Sequence, residues 1–152
     1  MEKKKYEQPE FPFKHRVALQ LRFNDIDALG HVNNSIYFEF FDLGKTNYFE
    51  TVRGADIDWR GADIVVARTT CDFLSPIYSH EPIAVETQVE RFGNKSFVMA
   101  QQILNTGTGE VKCACRTVMV GFDVEKGVSA PINPLWKTKI CDYEGRDMCN
   151  DK

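Results

Sequence analysis

No stretch of this chain approaches the ~20 consecutive apolar residues that a membrane-crossing helix needs. The lysines near its N-terminus are not followed by the apolar segment of a secretory signal. A basic stripe is missing too. With 19 Lys and Arg against 22 Asp and Glu the net charge is −3, and the one cationic cluster, Lys3-Lys4-Lys5, is flanked by Glu2 and Glu7 and reads as a solvated tail. No nucleic-acid partner and no membrane span are expected. The five cysteines (Cys71, Cys113, Cys115, Cys141 and Cys149) form no C-x-x-C, and no H-x-x-x-H or comparable ligand set occurs, so no metal is expected. Cys113 and Cys115 sit two apart on an expected strand and share a face. The thiols read as reduced, which fits a cytoplasmic protein. Internal repeats and low-complexity segments are absent.

What is present is a chain of 152 residues, the length of one domain. The 11 Phe and 5 Tyr call for a large apolar interior or interface. Residues 1–13, polar and carrying Pro9 and Pro12, read as an N-terminal arm. From about residue 137 to 152 the pattern fades into a polar C-terminal tail. Between them, Val17, Leu19, Leu21 and Phe23 alternate with polar residues and predict a half-buried strand from His15 to Phe23. A loop follows over 24–33. A helix is expected from Asn33 or Asn34 to about Val52, because Asn is a favoured N-cap and Gly54 a natural stop. Tyr37, Phe40, Phe41, Gly44, Tyr48 and Val52 line one face of it. Gly44 lowers helix propensity by ~1 kcal/mol against Ala, so its place on the buried face points to close approach of a sheet.

After a polar connection from Ala55 to Gly61, four strands are expected over Ile64–Pro76, Ile83–Phe92, Ser96–Asn105 and Val111–Asp123. They are separated by turn residues at 78–81, 93–95 and 106–109. Short connectors make antiparallel neighbours. A single helix with one apolar face must cover one side of such a sheet, which gives an α+β fold with the sheet curled round a long helix.

Residues 22–37 carry the chemistry. Asp25 and Asp27 alternate where the strand gives out, a Gly-His-Val-Asn-Asn turn follows, and then the helix begins. A carboxylate thus lies beside a helix start, with its unpaired N–H groups and partial positive charge. Together these can attack and polarise a carbonyl. Asp side chains ionise around pH ~3.9, so such a carboxylate needs no helper base near neutral pH. Asp25 reads as a loop brace, Gly30 as a special backbone position, His31 as a brace or site contact, and Asn33 and Asn34 as caps or site contacts.

The run Asp25-Ile-Asp27-Ala-Leu-Gly30-His31-Val-Asn33-Asn34 with Tyr37 resembles the D-x-D-x-x-G-H-V-N-N-x-x-Y signature of hotdog-fold acyl-CoA thioesterases of the 4-hydroxybenzoyl-CoA thioesterase and acyl-CoA thioester hydrolase type. Ile64–Arg68 with Asp72–Pro76, Phe92–Phe97 and Val118–Asp123 are similar to further strands and the central hairpin of that family. The resemblance covers about residues 15–134. It implies hydrolysis of an acyl-CoA thioester, with Asp27 as the catalytic carboxylate and the Asn34 backbone N–H polarising the carbonyl. His31, Asn33 and Tyr37 would contact substrate, and Arg91, Lys95 and Ser96 of the hairpin would meet the phosphates and pantetheine arm of coenzyme A. Coenzyme A would be part of the substrate, with no further cofactor. The family implies a homodimer or homotetramer with sites at subunit interfaces, so that these cations come from a neighbour. Two other readings stand beside it: a hotdog hydratase or dehydratase, which needs a His paired with a helix carboxylate, and a non-catalytic acyl-CoA or acyl carrier protein binding domain. Some hotdog thioesterases place the carboxylate in the helix, where Glu39 would be the candidate.

Overall fold

The computed structural model describes residues 6–54 and 64–148. The 55–61 connection, the Lys3–Lys5 cluster and Cys149 lie outside them. The element order is β1 (His15–Leu19), a 3₁₀ turn (Phe23–Asp25), α1 (Asn34–Arg53), β2 (Ile64–Phe73), β3 (Ile83–Phe92), β4 (Ser96–Asn105), β5 (Val111–Asp123), β6 (Val128–Ser129) and α2 (Pro134–Glu144). The main strands pair antiparallel in the order β1-β3-β4-β5-β2, with β6 added to the end of β5. The sheet curls round α1, and the architecture is the expected α+β hotdog fold.

Asn33 caps α1 by accepting the Ser35 N–H at 3.0 Å, and Gly54 ends it with φ +60°. All six expected face residues are buried, with Phe49 added to them. Beneath the N-terminal half of the helix, Tyr37, Phe40 and Phe41 pack on Ile77, Val85 and Ile103. Beneath the C-terminal half, Tyr48, Phe49 and Val52 meet Phe97, Met99 and Trp136. Gly44 sits between these clusters. A methyl group there would lie 3.0 Å from Gln101 Nε2, Thr87 Oγ1 and Val85 Cγ2, so the sheet does press against this position.

Three sequence expectations need correction. The first strand ends at Leu19 rather than Phe23. The Asp25 carboxylate takes the Arg22 N–H at 2.8 Å and closes a turn, which leaves Phe23 95% exposed. The second strand ends at Phe73 rather than Pro76, because the Leu74 and Ser75 N–H groups both donate to the Lys112 carbonyl and terminate the ladder. The expected tail from residue 137 is instead mostly α2. Asn133 caps it, Pro134 occupies its first turn, and Gly145 stops it at φ +70°. Trp136 and Ile140 anchor it in the core. So few inward-facing apolar side chains do not stand out as a periodic pattern.

The outer face of the sheet is polar yet covered. Gln88 donates Nε2 to the Phe11 carbonyl at 2.9 Å, Arg116 donates to the Glu7 carbonyl at 2.9 Å, and Tyr6 donates to Gln102 Oε1 at 3.2 Å. The expected arm therefore lies across β3, β4 and β5. At the other margin β2 is an edge, with Val65, Val66, Ala67, Arg68, Thr69 and Thr70 all exposed.

Candidate active site

The loop between the 3₁₀ turn and α1 is tied at its neck by an antiparallel bridge between Ile26 and Val32. The Asp27 N–H donates to the His31 carbonyl at 2.8 Å, and the Gly30 N–H donates to the Asp27 carbonyl at 3.0 Å. Gly30 has φ +82°, a conformation that a side chain would strain. Asp27 Oδ1 accepts from Leu29 N–H at 2.9 Å and His31 N–H at 3.3 Å. The carboxylate is thereby aimed by its own loop, and the half-buried side chain lines a cavity of about 470 Å³ with Leu21, Arg22, Phe23, Ile26 and Ser79.

Asp25 is the brace that the sequence suggested. It is 1% exposed, binds the Arg22 guanidinium at 3.2 Å, and accepts the Asn33 N–H on its backbone carbonyl at 2.9 Å. Arg22 also reaches Glu39 at 3.4 Å on the exposed face of α1. Its charge is engaged at the cavity rim, and Glu39 faces away from the core. Asn34 opens α1, and its N–H makes no internal hydrogen bond among the described residues. This is the free donor expected at a helix start.

His31 is half-buried and packs edge-on against Tyr78, ring centroids 5.2 Å apart, where the two backbones also bridge. Tyr37 is 3% exposed and edge-on to Phe73 at 5.2 Å. Burial first, then the neighbouring Cys113, push its phenol up to about 12, against a lowering by the Ile77 N–H. Asp27 and Glu81 add smaller upward pushes, so the phenol lies within the field of the loop carboxylate.

The structure does not bring Arg91, Lys95 and Ser96 to Asp27 within one protomer. They occupy the far end of the β3–β4 hairpin, while the loop contacts the opposite end through Tyr78. Eight strand residues separate the two ends, on the order of 25 Å. Arg91 lies on the outer face in a pocket of about 220 Å³ with Arg68, Thr70, Glu90 and Arg116. Arg116 pairs with Glu90. Lys95 is exposed and Ser96 half-buried.

A model of the thioesterase-like superfamily matches residues 21–140, the loop, the helix and the whole sheet beyond β1. The chain belongs to this superfamily. A thioesterase from Thermus thermophilus, solved with coenzyme A and zinc, is 30% identical at a TM-score of 0.78, over 88% of this chain and 96% of that one. A protein described as a predicted thioesterase, from Bacillus stearothermophilus, is 25% identical at a TM-score of 0.74, over 84% of this chain and 94% of that one. A chloroplastic acyl-acyl carrier protein thioesterase of Arabidopsis thaliana is 28% identical over 78 residues, 49% of this chain and 40% of that protein. The chain spans about half the length of the curated relatives it matches. Among the described residues no three of His, Cys, Asp or Glu are arranged to hold a metal ion.

The thiols gather beside the site without entering it. Cys71 opposes Cys115 across β2 and β5. The neighbouring Cys113 thiol leads the causes that push Cys71 up to about 11. The four described cysteines are free. Sequence reasoning missed the residues behind the loop, Ile77, Glu81 and Lys112. The one available signal was a lone cation in the small-residue run Val111-Lys112-Cys113-Ala114-Cys115.

Proposed function

We propose that this protein hydrolyses an acyl-CoA thioester to free acid and coenzyme A, with Asp27 as nucleophile or general base. One observation carries the reading: Asp27 lines an open cavity with Leu21, Arg22, Phe23, Ile26 and Ser79, in the loop that leads into α1, while loop N–H groups hold only its Oδ1. As general base, the carboxylate takes a proton from water, and the resulting hydroxide adds to the thioester carbonyl. As nucleophile, it adds directly and expels the thiolate, and water then cleaves the mixed anhydride. In either route the carbonyl oxygen gains negative charge, which the Asn34 N–H and the helix start would stabilise. The tetrahedral adduct collapses by breaking the C–S bond; the thiolate leaves, and in the general-base route it takes up the proton that Asp27 removed from water. Tyr37, His31 and Asn33 are not among the residues that line this cavity; they would meet substrate outside it. His31 makes no ion pair with a helix carboxylate among the described residues, which disfavours the hydratase reading.

We further propose a dimer built on β2. Two β2 edges paired antiparallel about a two-fold would bring the Ile64 end of one copy beside the Phe73 end of the other. Lys95 adjoins the Ile64 end, because its carbonyl accepts the Gly121 N–H at 2.9 Å and Gly121 pairs with Ile64. The loop adjoins the Phe73 end. The partner's hairpin would then supply Arg91, Lys95 and Ser96 to coenzyme A held at Asp27.

The test is free-thiol release from a panel of aliphatic and aromatic acyl-CoAs and acyl carrier protein thioesters, with wild type and Asp27→Ala side by side. Loss of at least ~10²-fold in kcat is expected for the variant, the lower range for a positioned acid or base. A folded Asp27→Ala protein that keeps the wild-type rate ends the mechanism. Hydroxylamine trapping of an acyl-enzyme separates the two routes.

A further inference from the structure

Ile77 is fully buried and touches two parts of the site. Its carbonyl accepts the Val32 N–H of the loop at 2.9 Å. Its side chain packs in one apolar cluster with Tyr37 of α1. One residue of the 74–82 connector therefore joins the loop that carries Asp27 to the helix that faces it.

The chain is gripped on both sides of Ile77. Lys112 Nζ donates to the Pro76 carbonyl at 3.3 Å, and Glu81 Oε2 accepts the Tyr78 N–H at 2.7 Å. Lys112 Nζ and Glu81 Oε1 are themselves paired at 2.8 Å, with side chains only 4% and 13% exposed. Asn105 donates to Glu81 Oε1 at 3.1 Å, and Glu110 lies 3.5 Å from Lys112.

We propose that the buried Lys112–Glu81 ion pair is the positioning device of the active site: by clamping the peptides either side of Ile77 it sets where the Asp27 loop stands against Tyr37 and the helix start. The inference rests on the reading of Asp27 as the reacting carboxylate. Desolvating two charges is expensive, and an apolar pair of equal volume would commonly stabilise the fold as well or better. An apolar pair could not, however, satisfy the Pro76 carbonyl and the Tyr78 N–H in fixed directions. The pair does not itself attach the connector to the sheet. Leu74 and Ser75 are hydrogen-bonded to the Lys112 backbone carbonyl, at 2.9 and 3.1 Å, so truncating the Lys112 side chain leaves that attachment in place.

The experiment compares full-length wild type, Lys112→Met, Glu81→Gln and Lys112→Arg. It measures kcat and KM for thiol release, and exchange of the Val32 amide hydrogen by NMR. In Lys112→Met and Glu81→Gln, kcat is expected to fall ~10- to 100-fold, the scale of an ångström of misplacement. KM should move less than about threefold, since the cations assigned to coenzyme A belong to the partner's hairpin and not to the connector that the ion pair grips. Val32 exchange should accelerate at least about tenfold, and Lys112→Arg should recover most of both readouts. A folded Lys112→Met or Glu81→Gln protein with wild-type kcat and wild-type Val32 exchange overturns the proposal, whatever its melting temperature. If the wild type cleaves no thioester, the reading of function fails separately, and Val32 exchange alone decides whether the ion pair holds the loop.

Discussion

Gln101 donates its side-chain amide to the Phe41 carbonyl at 2.9 Å, and the same nitrogen would lie 3.0 Å from a methyl group on Gly44. Gln101 also bonds Thr87 Oγ1 at 3.0 Å, so neither neighbour is free to give way. Gly44→Ala gains ~1 kcal/mol of helix propensity but overpacks a contact, at a cost of ~1–3 kcal/mol. We expect a net loss of roughly 1–2 kcal/mol, since rigid neighbours put the overpacking near its upper end. Urea unfolding measures it, and a stabilised variant would mean that the sheet relaxes.

Glu144 is 4% exposed and accepts from the Tyr48 hydroxyl and the Val89 N–H, both at 3.2 Å. Burial dominates and pushes its carboxyl above the ordinary 4.5, against the lowering by those two donors, Arg146 and Lys14. A raised folded-state pKa gives stability that is complete below the unfolded pKa and is lost as pH rises through the folded one. Glu144→Gln keeps the acceptor and removes the charge. It should therefore melt above wild type near neutral pH, with the gap closing as pH falls toward 4.5. Parallel melting curves for the two proteins would contradict this.

Much of this was legible in the chain, and for identifiable reasons. Turn residues separate β3, β4 and β5, and those three strands stand where the turns bounded them. The face of α1 was readable because seven buried residues, Gly44 among them, share it. Asp27 was readable as a candidate because glycine, histidine and two asparagines follow it in a fixed order. The Lys112–Glu81 pair was not, since its partners lie far apart in the chain and only the β2–β5 ladder places the Lys112 strand end against the connector. Phe23 misled because its apolar character continued an alternation that the Asp25 turn had already broken.

Arg91→Ala should raise KM for acyl-CoA roughly tenfold, the worth of ~1.4 kcal/mol of binding, and leave kcat within about twofold. The effect should shrink with added salt, because exposed charges are screened over ~10 Å at ordinary ionic strength. Steady-state kinetics at low and high salt test it. An unchanged KM at low salt removes Arg91 from the phosphate contacts.

Val66 is half exposed on the β2 edge. An unpaired edge of this length is a template for another strand, and an added lysine blunts it. Wild type should scatter light as a dimer or a multiple of one, and Val66→Lys should shift it toward the monomer and lose thiol release together. A stable wild-type monomer would contradict the two-fold arrangement, and a Val66→Lys dimer would move the interface elsewhere.

The N-terminal strap has a consequence for how this family member can drift. Arg116 and Gln88 take hold of the carbonyls of Glu7 and Phe11, groups that every residue type carries. At those two points the clasp is blind to the letters it fastens. Substitutions at Glu7 should accumulate freely while the path persists, whereas Tyr6, whose hydroxyl meets Gln102, and Phe11, whose ring lies under Arg146, share the restraint with the sheet residues that do the fastening.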